Sequence, residues 1–74
     1  MEIIEIKRLL HDKLGQKVEI LYLDGQQAAG HLRGLESQSY VGLPDKDYLW
    51  VVLQDDAGDI RCYHRGIKNI EILP

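Results

Sequence analysis

Residues 48–73 read YLWVVLQDDAGDIRCYHRGIKNIEIL and hold three strand-like runs separated by two short joins. The first run, residues 48–54, is aromatic and β-branched, the composition that suits a pleated strand. Asp55-Asp56-Ala57-Gly58 then supplies the residue types of a tight hairpin turn. Residues 60–64 alternate, with Ile60, Cys62 and His64 on one face and Arg61 and Tyr63 on the other. The third run covers residues 67–73 and sets Ile70 and Ile72 on a common face. Between them, Arg65-Gly66 leaves no room for a helix or a wide loop. Such a join bends one strand sharply into the next, as small barrels do at their corners.

Working outward, residues 17–23 form another strand, with Val18, Ile20 and Tyr22 facing one way and Glu19, Leu21 and Leu23 the other. Apolar residues on both faces at its far end suit a strand covered on both sides or one meeting a neighbouring subunit. Asp24-Gly25 is a strong hairpin signal, and the return strand runs over residues 27–36. Its glycines, Gly30 and Gly34, fit a strand that is bent or bulged. Residues 2–14 carry an amphipathic helix. At about 100° per residue, Ile3, Ile6, Leu10 and Leu14 share one stripe. Gly15 is placed to cap that helix at its C-terminus. Residues 37–47 are an irregular insertion of polar residues, Gly, Pro and mixed charge. The expectation is mainly β: one domain over residues 1–74, a five-stranded, strongly bent antiparallel barrel with an N-terminal α-helix stacked on it.

Composition narrows the function classes. At 74 residues and 45% hydrophobic content, the chain is globular but near the lower size limit for a self-sufficient core. Burial at an interface with partner subunits would add to it. A single cysteine, Cys62, rules out an internal disulfide framework. No apolar run approaches a membrane span and no signal-peptide layout opens the chain, so the expected compartment is the cytoplasm, with no membrane partner. The formal charge of −3 opposes non-specific nucleic-acid binding, which basic proteins favour. Any such role has to rest on a local basic site.

The strand order and its residues resemble the Sm-like family, and within it the Hfq type with its N-terminal helix. The resemblance covers nearly the whole chain. VEILYLDG at residues 18–25 resembles the first strand and its turn, and GHLRGLE at residues 30–36 the glycine-led strand of the first Sm motif. Residues 48–53 are similar to the strand completing that motif, and Tyr63-His64-Arg65-Gly66-Ile67 resembles the second. The resemblance implies a homo-oligomeric ring of about five to seven subunits, in which the fourth strand of one copy pairs with the fifth of the next. It also implies single-stranded RNA around the pore. His64 and Arg65 would then lie at the pore, with Tyr40, Tyr48 or Trp50 as stacking aromatics and Arg61 as added basic character. The chain departs from the pattern in three places. The insertion at residues 37–47 interrupts the first motif, Trp50 stands where asparagine is common, and no asparagine follows Arg65-Gly66. The C-terminal run also resembles two related small barrels of transcription regulation, the WYL domain and the Rof-type inhibitor. These imply a protein-binding or ligand-sensing role.

Catalytic patterns are weak. His11, His31 and His64 lie on separate elements without metal-site spacing. Cys62 sits mid-strand among apolar residues and reads as a small buried hydrophobe. Asp55, Asp56 and Asp59 lack the ligand spacing of a calcium loop and read as turn chemistry. The expectation is a non-catalytic module with no cofactor and no metal.

Overall fold

The computed structural model describes residues 1–74, the side chain of Pro44 excepted. It is mainly β: α1 (Ile3–Leu9), β1 (Lys17–Tyr22), β2 (Gln27–Gln38), β3 (Tyr48–Asp55), β4 (Gly58–Tyr63) and β5 (Ile67–Ile72). The five strands make one antiparallel sheet in the order β4-β3-β2-β1-β5. The two hairpin turns form where turn chemistry was expected. At the first, Asp24 Oδ1 accepts the Gln26 N–H at 2.9 Å while Gly25 takes a φ of 89°. At the second, Asp55 Oδ1 accepts the Ala57 N–H at 2.8 Å, and Gly58 takes a φ of 127°. Both glycines occupy a region of backbone space that a Cβ disfavours.

The sheet is forced to curl. β4 and β5 are its two outermost strands, yet only the 3-10 turn His64–Gly66 joins them. Three residues span at most roughly 10 Å, far less than the width of five flat strands at about 4.8 Å spacing. The bend is taken up where the registers shift, between Leu21 and Tyr22 on β1 and between Leu32 and Gly34 on β2. The expected closure into a barrel is not made within the chain, because among the described residues no ladder joins β4 to β5. The turn carries β5 across to β1, against which it pairs from Val18 to Tyr22.

The alternation read from the sequence decides which faces are buried. Val18 and Ile20 on β1, Leu49, Val51 and Leu53 on β3, and Cys62 on β4 are fully enclosed. Ile6 and Leu10 close this core from the helical side. The helix is shorter than its apolar stripe predicts and ends at Leu9. Its last turn is closed by the Leu10 N–H on the Ile6 carbonyl at 3.0 Å, and Asp12 then turns left-handed at φ 57°. Beyond it the backbone bonds partly to itself, through the Lys13 N–H on the Leu10 carbonyl and the Gln16 N–H on the Lys13 carbonyl, and partly to β2. The Gly15 N–H reaches the Leu32 carbonyl, and the Leu32 N–H reaches the Gln16 carbonyl, each at 2.8 Å. Leu14 therefore leaves the stripe and is 69% exposed. β2 runs two residues further than expected, to Gln38, which shortens the insertion to residues 39–47, with a 3-10 turn at Pro44–Lys46. β4 begins at Gly58, two residues early, and ends at Tyr63, so His64 belongs to the corner and not to the strand. Among the described residues, no helix is long and apolar enough to cross a membrane.

Candidate nucleic-acid interface

The corner between β4 and β5 organises the surface on which most of the candidate residues lie. The last backbone rung between β3 and β4 pairs Trp50 with Tyr63. One residue further on, the Leu49 N–H donates to the Nδ1 of His64 at 3.1 Å. The imidazole thus extends the ladder by one side-chain bond at the point where the strand itself stops. His64, expected at an exposed pore, is only 6% exposed. Burial holds its pKa below the ordinary histidine value, with the Arg65 and Met1 cations acting in the same direction. It is therefore a neutral ring at pH 7, not a cation.

Arg65 is exposed, and its guanidinium donates to the Asp45 carbonyl at 2.8 Å, fastening the 39–47 loop to the corner. The loop is closed at its base by the Tyr40 N–H, which donates to Asp47 Oδ1 at 2.8 Å. Tyr48 is half-buried at the start of β3, with its hydroxyl 2.9 Å from Gln38 Oε1 across the hairpin. Together with the first turn of α1, these groups surround a cleft of about 680 Å³. Its polar lining mixes cations (the Met1 amine, Lys7, Arg65), carboxylates (Glu2, Asp47) and the hydroxyls of Ser37, Ser39 and Tyr48. The Met1 amine is already engaged, donating to the His64 carbonyl at 3.0 Å and the Ile67 carbonyl at 2.8 Å. Lys7 and Arg65 are the side-chain cations this cleft offers to an anion.

The cleft brings together three of the sequence-derived candidates, Tyr48, His64 and Arg65. The others lie elsewhere. Trp50 and Tyr63 form a pair on the opposite, outward face of β3 and β4 from Leu49 and Val51, their ring centroids 4.9 Å apart and tilted by 39°. Arg61, on the same face, is bound across the sheet to Glu36 at 3.1 Å, and that partner raises its pKa. Arg33 and Asp59 make a second ion pair nearby. Two arginines on this face are thereby matched with acids. Tyr40 lies on the loop, 40% exposed, outside the lining of the cleft. Lys7, Ser37 and Ser39 were not singled out from the sequence. For Lys7 a signal existed, since it stands three and four residues after Ile4 and Ile3, on the side of α1 that lines the cleft.

Nucleophile chemistry finds little support at Cys62. Its sulfur is enclosed and accepts the Tyr22 hydroxyl at 3.0 Å, and burial pushes the thiol pKa up. A reactive thiolate needs the reverse. Among the described residues, no three His, Cys, Asp or Glu side chains converge on a common point. Comparison with family models, with curated proteins and with solved structures found no match to this chain.

Proposed function

We propose that this chain is a non-catalytic module of Sm-like type that assembles with itself into a ring and binds single-stranded RNA. The strand order carries this reading. β4 and β5 each keep one unpaired edge, both are six residues long, and they leave the same corner in opposite directions. Free edges of matched length are templates for pairing. If β4 of one copy pairs with β5 of the next, each curled sheet is closed by its neighbours and the edges are used up in a cyclic assembly. Ile60 on β4 and Ile72 on β5 are only half-buried against the core, and such pairing would finish covering them.

Assembly also bears on the charge problem. A ring repeats Arg65, Lys7 and Tyr48 once per subunit, so a weak local site becomes a multivalent one. Base stacking on an aromatic contributes about 1–3 kcal/mol per base, which does not require a basic protein. The test is a fluorescence titration with short U-rich and A-rich RNA at two salt concentrations, with Arg65→Ala alongside. The reading expects binding at low salt that weakens with added salt and with the substitution. No binding at low salt, or binding indifferent to Arg65, would overturn the RNA assignment.

One observation favours a second reading. Arg33 and Arg61 are matched by Asp59 and Glu36, and the net charge is −3. A regulatory module of Rof or WYL type, which offers an open strand edge to another protein, suits that acidic balance. In that case the chain is a monomer with β4 or β5 free for its partner.

A further inference from the structure

His64 occupies an unusual place for a titratable group. It sits in the three-residue corner that joins the outermost strands, and its Nδ1 accepts the one N–H of β3 that continues the ladder past Tyr63. An acceptor role requires the lone pair on Nδ1, so the ring is neutral and carries its proton on Nε2. Among the described residues Nε2 makes no bond, yet no buried side-chain nitrogen or oxygen there lacks a partner, so Nε2 is not sealed from solvent. His64 lines the cleft, which gives the ring a route to solvent. A path for exchange of a proton with solvent therefore exists.

We propose that His64 is a proton-operated latch: neutral, it clamps the start of β3 to the β4–β5 corner, and protonated, it releases Leu49 and opens the cleft. Adding a proton to Nδ1 turns that atom into a donor facing the Leu49 donor, so the bond cannot survive in place. The charges around the ring oppose protonation until the pH is low. From its own turn comes Arg65, and from the N-terminal segment the Met1 amine and, with the opposite sign, Glu2. Lys7 of α1 and Asp47 of the loop line the same cleft, and the Tyr63 ring meets it edge-on at 4.8 Å. Burial adds to the opposition. A donor aimed at Nδ1 favours the unprotonated ring as well. The latch thus holds at neutral pH and opens only below the ordinary histidine value of 6.5. Release changes the shape of the surface around Tyr48 and Arg65 and loosens the β4 end, whatever that surface binds.

The test is an NMR titration of the intact chain, following the imidazole carbons of the three histidines and the backbone amide of Leu49. The latch predicts that His64 titrates below the ordinary histidine value of 6.5, and that the Leu49 amide moves with the same midpoint and loses its exchange protection there. His64→Asn, which keeps an uncharged acceptor near the position of Nδ1, is expected to abolish that Leu49 transition. A Leu49 amide that stays put while His64 titrates, or a transition that persists in His64→Asn, would overturn the proposal. If the variant fails to fold, the wild-type titration decides alone. Neither measurement depends on RNA, so failure of the latch and failure of the RNA reading remain separate results.

Discussion

Gly30 lies against the backbone of Gln54: a Cβ placed on Gly30 would stand 2.8 Å from the Gln54 carbonyl oxygen and 3.2 Å from the Leu53 Cβ. The close approach falls beside the register shift where β2 bends. Gly34, four residues on, has nothing within 4 Å of the same construction. The two glycines of β2 thus differ in kind. Gly30→Ala is expected to cost about 1–3 kcal/mol, because backbone and not a flexible side chain must give way. Gly34→Ala should fall within about 0.5 kcal/mol of the parent. Urea denaturation of both variants measures the difference, and equal losses would contradict it.

The burial of His64 gives stability a defined pH dependence. The unfolded residue takes up a proton near its ordinary value of 6.5, while the folded one does so at lower pH. Over that window the unfolded state binds more protons, so stability is fully present above 6.5 and falls as the pH drops through the folded value. His64→Asn should flatten this part of the profile. Denaturant midpoints across pH 5 to 8 would show it; parallel curves for parent and variant would count against a buried neutral imidazole.

Fold and site were legible to different degrees. The strand faces followed from alternation, because Val18, Ile20, Cys62 and Ile70 each occupy the buried side that period two assigns them. The hairpins followed from Asp24-Gly25 and from Asp55 through Gly58. What failed to appear was competition between partners for the same backbone. α1 stops at Leu9, and a few residues on the Gly15 N–H and the Gln16 carbonyl bond to Leu32, a residue distant in sequence. Periodicity is blind to that. For the site, Arg65 and Tyr48 were found as exposed or half-exposed groups on the cleft. His64 was expected in the pore. Its alternation with Cys62 already placed it on the buried face, and the basic order of the motif concealed this.

Cys62 offers a check on the core. Enclosed and held by the Tyr22 hydroxyl at 3.0 Å, its thiol should resist a soluble disulfide reagent in the native chain and react once the chain unfolds. The pair raises the Tyr22 pKa too, mainly through burial. Tyr22→Phe removes the bond and keeps the ring, at an expected cost of about 0.5–1.5 kcal/mol. Rapid labelling of native Cys62 would mean that the β4 end opens far more readily than its packing implies.

Arg65 has a structural role that can be separated from any ligand. Its bond to the Asp45 carbonyl fastens the 39–47 loop, whose tip exposes Val41 and Leu43. Arg65→Ala is expected to speed tryptic cleavage after Lys46 while changing global stability by no more than about 0.5 kcal/mol. Unchanged cleavage would show that Tyr40 and Asp47 hold the loop by themselves.

Assembly through the β4 and β5 edges is the claim on which the functional reading stands, and native mass in solution tests it most directly. Light scattering or native mass spectrometry on the intact chain is expected to give a closed oligomer of about five to seven copies, insensitive to dilution because both edges are used. A monomer or simple dimer over the same concentrations would contradict it. The corner at His64 and Arg65 would then serve a single chain, with one strand edge left for a different protein.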